Sequence, residues 1–222
     1  MKRETKLLLD IYRRLLDHFG PRRWWPAQTP FEVMVGAILT QNTAWANVKK
    51  AIANLEAEGA LEPKALAKLP LPKLRRLIRP SGYFNQKAKK LRAFLRFFLA
   101  EPYRGSVKRL AAEDMEKLRA ALLNIWGIGP ETADSILLYA LGKPIFVIDA
   151  YTRRVFARLG LTAGEADYAE LQVYFTQRLP RKIALYNDYH AQVVALGNQY
   201  CRAKPRCELC PLKTLNRCRI VI

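Results

Sequence analysis

Residues 122–158 read LLNIWGIGPETADSILLYALGKPIFVIDAYTRRVFAR, and the rest of the chain is organised around this stretch. A helix is expected to stop at Asn124 or Ile125. A turn comes next over Trp126, Gly127, Ile128 and Gly129, and Pro130 then opens a second helix, since proline suits the first helical position. Two glycines serve a turn whose backbone is left-handed or closely approached, where a Cβ is excluded. Such a turn points backbone N–H groups outward at a helix N-terminus, which makes an anion site. Glycine hairpins also join helices without any ligand, but the residues downstream add weight. After one amphipathic helix come Gly142, an apolar run from Pro144 to Ile148, and Asp149 opening another helix, so that a carboxylate is expected to return close to the hairpin.

Composition points the same way. Thirty-eight Lys and Arg against 19 Asp and Glu leave +19 on 222 residues, with a sequence pI near 10.1. The excess runs along the whole chain, which favours a polyanionic partner, nucleic acid before membrane; a basic protein with no such purpose is the minority reading. Half the chain is apolar, enough for a sizeable core in one or two domains without disulfides. The N-terminal MKRETKLLLDIYRRLL carries charges throughout and reads as a helix, not a signal peptide. No apolar run approaches the roughly 20 residues of a membrane span. A cytoplasmic, nucleoid-associated protein with no membrane partner is expected.

Along the chain, residues 3–18 place Leu7, Ile11, Leu15 and Phe19 at helical spacing. The segment ProArgArgTrpTrpPro at 21–26 holds two adjacent tryptophans that cannot both face a core, so one of them lining a cleft is weighed equally with burial. Thr29, Pro30 and Glu32 have capping-box register for a helix apolar nearly all round, and Thr43 can cap the next. A basic helix from about Asn85 to Ala100 sets Leu91, Phe94, Leu95, Phe98 and Leu99 on one face, with Lys87, Lys89, Lys90, Arg92 and Arg96 elsewhere, read as solvated. Two more helices are expected over 165–179 and 181–199. With no convincing strand, the fold class is all-α.

Cys201, Cys207, Cys210 and Cys218 form the pattern C-x5-C-x2-C-x7-C, a density that in a cytoplasmic protein points to metal ligation. Four thiolates suit zinc or an iron–sulfur cluster, and spacing does not choose between them. Lys213 and Arg217 lie inside the last loop, with Arg219 just beyond.

The hairpin, apolar run and aspartate together resemble the helix-hairpin-helix DNA glycosylases of the endonuclease III superfamily, and the likeness covers nearly the whole chain. It implies a helical barrel domain over 23–152, with the helix-hairpin-helix at about 114–142. It also implies a discontinuous helical domain from 1–22 and 153–222 that ends in the cysteine loop, 201–218. The partner implied is double-stranded DNA containing a damaged base, bound by a monomer. Gly127, Ile128, Gly129 and Thr132 would grip its backbone. Gln41, in LTQNTAW, resembles the residue that fills the gap left by an extruded base, and Tyr83, in SGYFNQKAKK, the wedge. Position in the chain favours a [4Fe–4S] cluster on the four cysteines over zinc, although the first gap is shorter and the last longer than is common in the family. The loop would hold Lys213 and Arg217 against phosphate.

Breaking an N-glycosidic bond builds positive charge on the sugar, which a buried carboxylate stabilises while it orients water. Asp149 is the first catalytic candidate, and it is equally a good helix N-cap. Bifunctional relatives carry a lysine where this chain has Glu131, the second candidate; a carboxylate forms no Schiff base, so the resemblance implies a monofunctional glycosylase. Trp24, Trp25 and Trp45 resemble the aromatic pocket of the 3-methyladenine branch, suited by cation–π attraction to cationic alkylated purines such as 3-methyladenine and 7-methylguanine. Two alternatives stand beside this: a glycosylase for mismatched, deaminated or oxidised bases, and a non-catalytic DNA-binding protein.

Overall fold

Phe146, at the centre of the apolar run, stacks on Phe175 with ring centroids 4.4 Å apart and meets Tyr186 and Tyr189 edge-on. These contacts divide the chain. The structure, a computed structural model, describes residues 2–22 and 24–218. Its contacts separate one unit of Met1–Trp24 and Pro144–Ile222 from a second of Trp25–Lys143. The second boundary therefore falls before the apolar run, not at residue 152, because the ring of Phe146 needs the aromatic core of the terminal segments. Among the described residues the chain is all-α, with no strand. No helix among them is long and apolar enough to cross a membrane.

The first unit contains α1 (Lys2–Phe19), α10 (Ala150–Arg158), α11 (Tyr168–Thr176) and α12 (Ile183–Gln199). Helix α1 lies on α12: the Tyr189 hydroxyl donates to the Leu8 carbonyl at 2.8 Å and Tyr12 to Asp188 at 3.0 Å. Leu8, Ile11 and Leu15 are the buried residues of α1; Leu7 and Phe19, drawn into the stripe by periodicity, are half-buried.

The second unit contains α2 (Pro30–Leu39), α3 (Trp45–Ala57), α4 (Pro63–Lys68), α5 (Leu71–Leu77), α6 (Phe84–Leu99), α7 (Val107–Ala112), α8 (Met115–Leu123) and α9 (Pro130–Ser135). Helix α2 is buried on all sides, packed by α3, α6 and α9. Thr29 accepts from the Glu32 amide at 3.1 Å, yet the Glu32 carboxylate takes the Gln28 amide at 2.8 Å, so the expected capping box is only half made. Thr43 does not cap α3. The N-cap is Ala44, whose methyl can accept nothing.

Lys87 departs furthest from the helical pattern. Expected on a solvated face, it is 2% exposed, and its ammonium donates to the Leu39 carbonyl at 2.8 Å and the Ser81 carbonyl at 2.6 Å. The start of α6 lies against the C-terminal end of α2, whose last carbonyls have no helical partner and take a cation instead. Burial first, and then the charge of Lys90, push the pKa of Lys87 down to about 8. Helix α9 is also short: it gives way to a π-helical turn, Ile136–Ala140, a form concentrated at functional sites.

Candidate active site

The hairpin forms as its residues dictate. Asp114 caps α8 through the Lys117 amide at 3.0 Å, Asn124 is the C-cap, and Pro130 is the first residue of α9. The two glycines do different work. Gly127 has φ +84, and a Cβ there would meet the Lys90 side chain at 2.5 Å. Gly129 has φ −93 and a Cβ there would meet nothing, so no contact of the chain itself requires glycine at that position. Arg119 on α8 grips Asp134 on α9 with two hydrogen bonds, 2.7 and 3.1 Å, and fixes the angle between the helices. Ile128 and Thr132 turn their side chains inward, 4% and 6% exposed, which leaves only their backbone to face a ligand. Glu131 is exposed in the first turn of α9, a favourable place for a carboxylate.

Gln41 is tied to this hairpin. Its amide nitrogen donates to the Gly127 carbonyl at 3.1 Å and to the Thr132 hydroxyl at 2.9 Å, and the Lys90 ammonium donates to its oxygen. A cavity of about 360 Å³ opens beside it, lined by Gln41, Asn42, Tyr83, Gln86, Lys87, Lys90 and Trp126. Tyr83 is 71% exposed and sits in the left-handed region at φ 43, and Asn42 does so at φ 52, strain of a kind that collects where function requires it. Trp126 is 57% exposed. Neither Trp126 nor Lys90 stood out in the sequence: a tryptophan beside a turn glycine and a lysine on a basic helix carry no pattern.

Trp25 and Trp45 come together, but not as parallel walls. Their centroids are 5.1 Å apart at an interplanar angle of 87°, and Tyr139 from the π-helical turn touches Trp25 at 5.4 Å. Edge-to-face contact satisfies the ring quadrupoles and leaves no slot between the two indoles. The other face of Trp25 lies on α2, with the ring 3.4 Å from where a Gly36 Cβ would stand. Trp24 is half-buried in the first unit.

In the first unit, the apolar run presents Asp149. The Gln172 amide donates to the Phe146 carbonyl at 2.8 Å, and the Ile148 amide to the Tyr168 hydroxyl at 3.3 Å. Asp149 caps α10, its Oδ1 accepting the Thr152 amide at 2.7 Å. Its Oδ2 lies 3.4 Å from Nε2 of His190, and both side chains are nearly buried, 11% and 7% exposed. Burial raises the Asp149 pKa, but the charge of the facing His190 ring, and then the amide and side chain of Thr152, outweigh it, and the carboxyl titrates below its ordinary range. His190 was not legible as a site residue. It falls in a helix whose pattern reads as core.

The four cysteines lie in the segment after α12, with Cys207 and Cys210 at either end of a short 3₁₀ turn. Among the described residues no group of three or more His, Cys, Asp or Glu side chains closes around a point as a metal site does. The thiols nevertheless feel one another. Burial, then repulsion from the other cysteines, pushes Cys218 up against Arg158; burial likewise raises Cys210 against the Leu212 amide, with a smaller push from the other cysteines. Arg158 also reaches the Cys201 sulfur at 3.4 Å. Lys213 is exposed and paired with Glu208 at 3.0 Å, and Arg217 is exposed. Arg219 lies outside the described residues.

Residues 35–181 match the model of the HhH-GPD superfamily base excision DNA repair proteins. The chain belongs to this superfamily. A DNA repair glycosylase of Methanocaldococcus jannaschii, provisionally so named, is 47% identical over 210 residues, 94% of each chain. The solved Helicobacter pylori 3-methyladenine DNA glycosylase bound to 1,N6-ethenoadenine is 30% identical with a TM-score of 0.73, over 89% of this chain and 96% of that one. A non-covalent endonuclease III–DNA complex superposes with a TM-score of 0.81 at 24% identity, over 97% and 95% of the two chains, a likeness of fold.

Proposed function

We propose that the protein is a monofunctional DNA glycosylase that releases alkylated purines from double-stranded DNA. The observation that carries the catalytic part is Asp149: a nearly buried carboxylate held ionised at the head of a helix. As the bond between C1′ and the base breaks, its electron pair leaves with the base, which turns a cationic alkylated purine neutral. The carboxylate stabilises the charge left on the sugar, a water oxygen adds to C1′, and the water's proton passes to Asp149 and on to solvent. The exposed Glu131 offers no amine, so borohydride treatment during turnover should trap no covalent DNA adduct.

The Trp25, Trp45 and Tyr139 cluster supports the choice of alkylated purines, together with the 3-methyladenine glycosylase relative. A panel of duplexes, each carrying one damaged base, tests it. Trp25→Ala and Trp45→Ala should each lower excision of 7-methylguanine about fivefold or more, the scale of one lost stacking contact, and leave binding to an abasic-site duplex nearly unchanged. Equal losses on both DNAs would give the indoles a role in folding alone. Full turnover on uracil or oxidised pyrimidines, with none on alkylated purines, would reverse the assignment.

The hairpin supports backbone binding. Gly129→Ala should leave the melting temperature in place and weaken binding to all duplexes alike, because only a partner approaches that position. Gly127→Ala should instead cost about 1–3 kcal/mol of stability, from its left-handed backbone and the Lys90 side chain beneath it. If Gly129→Ala binds normally, the phosphate does not lie there.

Cys201, Cys207, Cys210 and Cys218 would hold a [4Fe–4S] cluster. A four-thiol donor set in which the thiolate forms of Cys210 and Cys218 are disfavoured by the other cysteines is the chemistry that a bound cation stabilises. Bound, the cluster would supply a rigid, redox-capable anchor for the terminal loop. Anaerobically purified protein should be brown and carry about four iron per chain. Stoichiometric zinc without iron would replace this reading.

A further inference from the structure

We propose that His190 is a positioning residue for Asp149, holding its second carboxylate oxygen in the orientation and charge state that excision needs; the proposal rests on Asp149 as the catalytic carboxylate. Three observations carry it. First, the two oxygens of Asp149 have separate partners: the Thr152 amide takes Oδ1, and the His190 ring faces Oδ2. Second, His190 is 5% exposed, so its ring is held by surrounding packing and not by solvent. Third, the two helices are locked in register close to the pair. A Cβ on Gly197 of α12 would lie 2.4 Å from the Tyr151 ring of α10. The Tyr151 hydroxyl donates to Asn198 at 3.1 Å, and Arg154 donates to the Gly197 carbonyl at 3.1 Å and the Cys201 carbonyl at 2.7 Å. With α10 held against α12 in this way, the head of α10 cannot shift without moving the carboxylate off the ring.

A helix cap holds Asp149 through Oδ1 and Thr152 alone, and burial drives a carboxyl group toward its neutral form. A neutral acid stabilises no cation. A proton on Nε2 donated to Oδ2 keeps the carboxylate ionised and fixes its rotation. On these helices Arg154 is committed to the carbonyls above, and Asp188 to Tyr12, Gln192 and the Arg22 amide.

The test compares His190→Leu with His190→Gln in the full chain. Gln keeps an N–H donor of similar reach, and Leu keeps bulk without one. On whichever damaged duplex the wild type turns over, His190→Leu should lower the single-turnover rate about tenfold or more, the scale of one hydrogen bond to a charged group. His190→Gln should recover most of it, with abasic-duplex affinity close to wild type in both; the melting temperature should fall in His190→Leu, which takes the partner from Oδ2, and return in His190→Gln. A ¹³C-carboxyl titration of Asp149, assigned by its loss in Asp149→Asn, should move upward in His190→Leu. The inference is overturned if Leu keeps the wild-type rate and titration, or if Leu and Gln lose rate equally and in step with melting temperature. Failure of the underlying reading looks different: Asp149→Asn would remain active.

Discussion

Asp149→Asn is expected to lower the single-turnover rate of base release by about 10²–10³-fold, the loss caused by removing one preorganised charge-stabilising group. Asparagine is as good an N-cap as aspartate, so α10 should stay in place and the melting temperature should move little. Affinity for an abasic-site duplex should be almost unchanged, because the base and the developing charge are both absent. The pH dependence has a definite sign. Burial alone would raise the Asp149 pKa, but His190 and the Thr152 amide bring it below the ordinary carboxylate range. Its contribution to stability is therefore complete above the unfolded value and lost as pH falls through the folded one, and the acid limb of excision should lie below that ordinary range. Wild-type activity in Asp149→Asn, measured by release of labelled base, would remove the carboxylate from the chemistry.

The second large effect concerns stability. Arg119→Met should cost about 3–5 kcal/mol, because it leaves the fully buried Asp134 carboxylate without its guanidinium. Replacing both partners should restore much of this, since two well-packed apolar side chains need no charge partner. Urea denaturation of the two single variants and the double variant measures the difference. A loss under about 1 kcal/mol in Arg119→Met would mean that the pair behaves as an exposed one.

The parts of the fold legible in the sequence are those written in short-range chemistry. Asp149 and Thr29 cap helices because their oxygens reach an amide three residues on, and Pro130 starts one because its φ is preset. Gly127 is a glycine because the turn is left-handed there. What was not legible depends on long side chains and distant helices. Helical periodicity set Lys87 on the surface, yet four methylenes carry its ammonium to carbonyls that only the folded chain brings near. His190 meets Asp149 across 41 positions of sequence, and no local pattern records that contact. The aromatic cluster is half legible: the sequence marks the tryptophans, but their edge-on contact and the addition of Tyr139 through a π-helical turn are products of packing.

Lys87 also makes the chain able to report on its own breathing. Near pH 8 about half the molecules carry this side chain as an uncharged amine, a nucleophile that ordinary surface lysines become only in stronger alkali. The amine is walled in, so an acylating reagent can reach it only while the C-terminal end of α2 and the turn at Ser81 are apart. Its labelling rate, read by mass spectrometry, thus counts local openings of the two segments that lead to Gln41 and Tyr83. If a ligand clamps those segments together, Lys87 should fall silent while the surface lysines go on reacting.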